Sequence, residues 1–338
     1  MTETTPGFDT RAIHAGQGPD AATGAVNVPI HQSSTFAQDG IGGLRGGYEY
    51  GRAGNPTRTA LQEQLAAIEG AKHAFSFASG LAAEDALLRA LLKPEDRIVI
   101  GNDVYGGTYR LIDRVLGPWG VRHQVVDMSD LAAVEETVTG GPTALVWVET
   151  PSNPRMTISD IAAVAEIAHR AGARLVVDNT FASPYLQNPL ALGADIVVHS
   201  TTKYIGGHSD VIGGAVMLDD DAAAEKIGFM QFAAGAVSAP WTPSSPRAGS
   251  RPSACAWNAT LRAPRRLPSG CRAARACRPC TTRGSPTIPG TSSLPPRCAA
   301  SVGCSRCPSP VGPRPPARWP SPPACSPSPS RSAGWSRW

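Results

Sequence analysis

Along the first 240 residues the apolar positions recur with two periods. In "NPTRTALQEQLAAIEG", Leu61, Leu65 and Ile68 fall on one face at helical spacing. Asn55 is placed to cap that helix, Pro56 to sit in its first turn and Gly70 to stop it. "HAFSFAS" reads as a strand, followed by a helix at "LAAEDALLRALL", a strand at "RIVI" and a helix at "TYRLIDRVL". Further on, "TALVWVET" predicts a buried strand and "ISDIAAVAEIAHRAGA" an amphipathic helix, while "RLVVDNT" and "DIVVHS" predict two more apolar strands. Near-continuous apolar strands alternating with helices predict an α/β fold, a mostly parallel sheet lying between helices. That body spans residues 46–240. Residues 1–45 are polar and glycine-rich with little periodicity, and read either as an extended arm or as a disordered terminus.

Composition divides the chain at the same place. Residues 1–240 hold all 27 acidic residues and 16 of the 31 Lys and Arg, a formal charge of −11, and no cysteine. Residues 241–338 hold 15 Arg, no acid, all eight cysteines and 20 of the 32 prolines. A cysteine-free, mildly acidic body suits the cytoplasm and argues against nucleic acid as a specific partner. The start has no apolar run behind a basic one, and no run of about eighteen apolar residues occurs, so neither a secretory signal nor a membrane span is expected.

In open sheets of this kind, ligands bind beyond the carboxyl ends of the strands. Neither GxGxxG nor GxxxxGK[ST] is present. The strands lead instead into Ser79-Gly80-Leu81 at a helix start, Tyr105 after "GNDV", Asn153 in "ETPSNP", Asp178 at the end of "RLVVD", and Ser200, Thr202 and Lys203 after "DIVVH". A lysine at the end of a buried strand is expected to be desolvated, and so a better nucleophile toward carbonyls. Hydroxyls and glycines around it suit a phosphate, and a helix start at Gly80 adds backbone N–H donors. A carboxylate 25 residues upstream could hold a pyridine nitrogen protonated. Together these describe a pyridoxal phosphate site, on whose ring Tyr105 could stack. Taken singly, Asp178 also reads as a turn residue, Tyr105 as packing, and His199 and His208 as structural histidines.

"DIVVHSTTKYIGGHSD" resembles the lysine signature of the Cys/Met-metabolism family of pyridoxal phosphate enzymes, which includes cystathionine γ-synthases and γ-lyases. "YEYGRAGNPTR", "FASGLAAE", "NDVYGGTYR", "VWVETPSNP" and "VVDNTFASPYLQNPLALGAD" are similar to the same family in the same order, over roughly residues 8–240. The resemblance implies the large domain of a fold type I pyridoxal phosphate enzyme. It implies that Lys203 carries the cofactor, Asp178 pairs with its ring nitrogen, and Tyr105 stacks on the ring. It gives Gly80, Leu81, Ser200 and Thr202 to the phosphate and Asn153 to the ring hydroxyl side. Tyr50 and Arg52 would reach the phosphate of a neighbouring subunit in a dimer of dimers; the family's N-terminal arm also crosses to a neighbour, which favours an ordered arm. The implied reaction is γ-replacement on an activated homoserine by cysteine, giving cystathionine, with γ-lyase cleavage as the alternative. Gly107 stands where methionine γ-lyases carry cysteine. No metal is implied.

After "GAVSAP" the family continues with a stretch like "MDAFLxxRGLKTLxxRMERH", whereas this chain continues "WTPSSPRAGSRPSACAWNAT". One base restored before the Trp241 codon permits a rereading as the family peptide. The last 98 residues contain no Asp, Glu, Lys, Gln, His, Phe, Tyr or Met, as a GC-rich gene read out of frame would give. Residues 241–338 are therefore expected to be a frameshift-derived, disordered tail replacing the C-terminal domain. Its "CRPC" and "CSRC" pairs have zinc-like spacing, but out-of-frame cysteine richness accounts for them. In the family the C-terminal domain supplies the arginine that holds the substrate carboxylate. Activity is therefore expected to be impaired, and an inactive cofactor-binding remnant is the alternative of another class.

Overall fold

A computed structural model describes residues 6–240. The expectations for residues 241–338, the disordered tail and the two cysteine pairs included, lie outside the described residues.

Seven strands form one sheet: β1 (His73–Phe77), β2 (Arg97–Gly101), β3 (Arg122–Val126), β4 (Leu145–Glu149), β5 (Arg174–Asp178), β6 (Ile196–His199) and β7 (Gly214–Leu218). Their order is β1-β7-β6-β5-β4-β2-β3. The five strands from β6 to β3 run parallel, while β7 is antiparallel to both β6 and β1. Two strands were not legible from pattern. β3 is a half-exposed edge strand with polar residues, so it lacks the apolar run of its neighbours. β7 is fully buried, but it opens with a glycine straight after a glycine-rich turn, which masks its start.

The helices are α1 (Phe8–His14), α2 (Pro56–Glu69), α3 (Gly80–Leu91), α4 (Gly106–Arg110), α5 (Gly117–Trp119), α6 (Leu131–Thr139), α7 (Ile161–Arg170), α8 (Ser183–Leu186) and α9 (Asp221–Ala234). Between α4 and α5 the chain winds as a π-helix over Leu111–Leu116. α2 forms as its sequence dictates: the Asn55 side chain accepts from the N–H groups of Thr57 and Arg58, and Gly70 closes the helix at φ 78°.

Strand alternation sorts side chains onto two faces. Leu145, Trp147, Val176, Ile196 and Val198 pack with α3 and α9 on one face. Val146, Val148, Leu175 and Val177 pack with α6 and α7 on the other. A third cluster joins α1 and α2 to Ala215 and Met217 of β7. Within residues 6–45 the chain is tied to α2: the Gln64 side chain donates to Ala12 O at 2.5 Å, the Asn55 side chain donates to His31 O at 2.8 Å, and Thr57 accepts from the His31 N–H. After α9 the chain returns to cover the β1 edge, with Phe77 bridged to Val237 and Ser76 Oγ 2.9 Å from Ser238 Oγ. Among the described residues no helix is long and apolar enough to cross a membrane.

Candidate active site

Residues two apart on a strand share a face. Glu149 therefore lies with Leu145 and Trp147, and Asp178 with Val176, on the face covered by α3. The two carboxylates sit opposite one another in the β4–β5 register. α3 contributes a third buried acid, Glu84, on its second turn. Asp178 is deeply buried, which pushes its carboxyl above the usual range; hydrogen bonds from Thr180 and the proximity of His199 pull the other way. Burial raises Glu84 to about 8, with the charges of Asp178 and Glu149 adding to it and the Thr108 hydroxyl offsetting part. Glu84 Oε2 and Thr108 Oγ1 are both buried, and neither reaches a partner in hydrogen-bond geometry. Burial also raises Glu149 to about 8, with Asp178 the next cause, against two backbone N–H bonds that favour its charged form.

The anion end of the site is built by close approach. Gly80 opens α3 beside the end of β6, and a Cβ placed on it would lie 3.0 Å from Ser200 Cβ. The Ser79 side chain already accepts from Ala82 N, which leaves the N–H groups of Gly80 and Leu81 as helix-start donors beside the Ser200 hydroxyl. Thr180 links this end to the acid: its N–H donates to Asp178 Oδ1 at 2.9 Å, and its hydroxyl accepts the Ser200 N–H at 2.8 Å. Thr202 Oγ1 accepts from Gly213 N at 3.1 Å and lies 3.2 Å from Gly213 O, closing the turn after β6.

Lys203 does not have the burial expected of it. β6 ends at His199, and the lysine falls in the turn beyond, exposed, with its N–H on Ser200 O at 3.1 Å. Tyr105 begins α4 with a half-exposed ring, and Asn153 is exposed; both of their backbone N–H groups donate to Glu149. Tyr50 and Arg52 group elsewhere. The Arg52 guanidinium lies over the Phe232 ring at 4.7 Å and the Tyr50 ring at 5.4 Å, and donates to Phe232 O. Together with Arg58 and Ser238 they line a cavity of about 310 Å³. His199 is a structural residue: its Nε2 lies 2.8 Å from Glu69 Oε2, both side chains fully buried.

Sequence reasoning missed Glu149 and Glu84. Glu149 was within reach, because it ends a strand directly opposite Asp178. Glu84 carried no signal, since one glutamate in a helix reads as surface. Among the described residues no group of three or more His, Cys, Asp or Glu side chains is placed to hold a metal.

The donors at Gly80, Leu81 and Ser200 suit a phosphate, a cradle that any side chain on Gly80 would fill. The buried Asp178, tied to that cradle through Thr180, suits a protonated ring nitrogen. The sheet with a helix start and strand-end acids defines the class: an α/β enzyme domain of the kind that holds a phosphorylated cofactor at the carboxyl ends of its strands. The family model described as Cys/Met metabolism PLP-dependent enzyme matches residues 9–244, and the chain belongs to that family, whose members use pyridoxal phosphate. The match ends beside the change in composition at Trp241.

Among its relatives is the cystathionine gamma-synthase of Mycobacterium bovis, 59% identical over 69% of this chain and 60% of the relative. The cystathionine gamma-lyase of Dictyostelium discoideum is 50% identical over 69% of this chain and 59% of the relative. The crystal structure of metB from Corynebacterium glutamicum superposes with a TM-score of 0.73 at 52% identity, covering 74% of this chain and 65% of that one. The chain thus spans about 60% of the length of the curated relatives it matches.

Proposed function

We propose that this chain carries the cofactor half of a cystathionine γ-synthase-like enzyme, which replaces the γ-substituent of an activated homoserine with the thiol of cysteine. The observation that carries the reading is the link from Asp178 through Thr180 to Ser200, which Gly80 approaches closely, so that a buried acid and helix-start donors stand beside one another. Relatives named cystathionine gamma-synthase support a synthase over a lyase.

Pyridoxal phosphate, when bound, supplies the electron sink that loosens protons on the substrate's carbons. The chain's residues do the rest. Gly80 and Leu81 N–H with the Ser200 hydroxyl would hold the phosphate, joined by Thr202 once its hydroxyl turns from Gly213 O. Asp178 would be kept charged by the ring nitrogen of the bound cofactor and would hold the proton there. Tyr105 covers the ring and Asn153 takes its hydroxyl side. Lys203 Nζ would anchor the aldehyde and, when freed of it, would move protons between substrate carbons. Exposure leaves this lysine free to swing between those tasks.

Tyr50 and Arg52 would serve a neighbouring subunit in a homo-oligomer, as the family resemblance implies; in this chain they group beside Phe232. The enzyme works in the cytoplasm, in keeping with a body that has no cysteine. Residues 241–338 lack the family's pattern, so turnover of this chain is impaired. Cysteine with an O-acylhomoserine, assayed for cystathionine against cleavage of cystathionine, tests the reading. Faster replacement than cleavage supports it, and dominant cleavage favours the lyase. Cofactor binding with neither activity leaves a remnant, and robust turnover contradicts the impairment.

A further inference from the structure

Glu149 has no task in the chemistry above, yet its carboxylate is used at both oxygens. Oε2 accepts the N–H of Tyr105 at 2.5 Å, and Oε1 accepts the N–H of Asn153 at 3.1 Å. The first amide belongs to the loop leaving β2, the second to the loop leaving β4, and the two strands are neighbours. A second carboxylate ties the same loops in the opposite sense. Asp103, on the β2 loop, accepts from the Ser152 hydroxyl at 2.5 Å and from the Thr157 hydroxyl at 3.1 Å, both on the β4 side. Arg155 Nε stands 3.7 Å from the other Asp103 oxygen.

We propose that Glu149 is a positioning residue: with Asp103 it locks the Tyr105 loop and the Asn153 loop into one unit, so that these side chains meet the pyridine ring at a fixed spacing. The consequence for the ring rests on the pyridoxal phosphate reading, whereas the clamp itself does not.

The choice of a carboxylate is explained by the donors. Two N–H groups arriving from different loops need an acceptor at each end of the side chain. Glutamine offers one acceptor, and its NH₂ would face the second N–H. Glu149→Gln therefore opens one arm of the clamp while keeping volume and position. The groups that face Glu149 from other elements are Asp178 on β5, Asp103 on the β2 loop and Glu84 on α3. Among the described residues the charged groups acting on Glu149 are acids, and the two amides are its compensation.

Amide hydrogen exchange on the full chain without cofactor, at pH 9 so that Glu149, raised by burial to about 8, is ionised and both its oxygens accept, tests the clamp. In the wild-type chain the Tyr105 and Asn153 amides are expected to be protected although their loops are exposed. In Glu149→Gln, peptides spanning 102–106 and 150–154 are expected to exchange roughly tenfold faster, while the amides of Val146–Val148 in β4 keep their protection. Wild-type amides that exchange as freely as an open loop would overturn the proposal without any variant having to fold. So would equal loop exchange in the two proteins.

Titration with pyridoxal 5′-phosphate then reads the consequence. Glu149→Gln is expected to weaken binding roughly tenfold and to alter the visible circular dichroism of the bound cofactor. In a Tyr105→Ala, Asn153→Ala background the same change is expected to add little, because the effect travels through those two side chains. Fully additive losses would overturn it. A wild-type chain that binds no cofactor counts against the pyridoxal phosphate reading, and the exchange result still decides the clamp.

Discussion

Gly80 and Ser200 approach so closely that a side chain on the glycine would press into Ser200, with Cβ to Cβ at 3.0 Å. The start of α3 and the end of β6 meet there with no room for a side chain on residue 80. Gly80→Ala is expected to weaken pyridoxal phosphate binding by about tenfold or more, since the methyl displaces Ser200 or the phosphate. Visible titration measures the loss. Pairing it with Ser200→Gly, which removes the opposing Cβ, is expected to restore the thermal stability lost by Gly80→Ala and not the affinity.

Buried acids without a cation make stability fall as pH rises. Glu84 is raised from 4.5 to about 8 by burial and by Asp178 and Glu149. The folded chain therefore holds a proton that the unfolded chain has released between those values. That contribution is complete below about 4.5 and is lost as pH rises through about 8, with a slope approaching about 1.4 kcal/mol per pH unit for one group. Urea unfolding of the full chain at pH 5, 6, 7 and 8 reads the slope. Glu84→Gln, which stays neutral, is expected to flatten it; an unchanged slope contradicts the assignment.

The pair Glu69 and His199 is buried completely on the face away from Glu84, with Asn179 Nδ2 3.4 Å from the other Glu69 oxygen. Removing one partner strands the other, and His199→Ala is expected to cost about 3–5 kcal/mol in urea unfolding. The double change Glu69→Leu with His199→Leu is expected to cost less than either single change, because no buried charge is left behind.

Most of the fold was legible because its signals are local. Asn55, Pro56 and Gly70 bound α2 by capping and by φ alone, and the apolar runs of β4, β5 and β6 can only be buried strands. The antiparallel turn to β7 was not legible, since strand direction is set by long-range pairing and not by the residues of the strand. In the site, Gly80, Asp178 and Ser200 stood out because they end strands or begin a helix. Glu84 and Glu149 did not, because a glutamate's burial depends on what tertiary packing lays over it. The same reason misplaced Lys203: a strand running on as far as the lysine would have carried it into the covered sheet, and β6 ends too early.

The central claim is that Lys203 takes the cofactor. Incubating the full chain with pyridoxal 5′-phosphate, reducing with borohydride and mapping the peptides by mass tests it directly. The account predicts one stoichiometric adduct, on Lys203, lost in Lys203→Ala. No adduct, or one spread over Lys72, Lys93 and Lys226 in the same proportion, would contradict it.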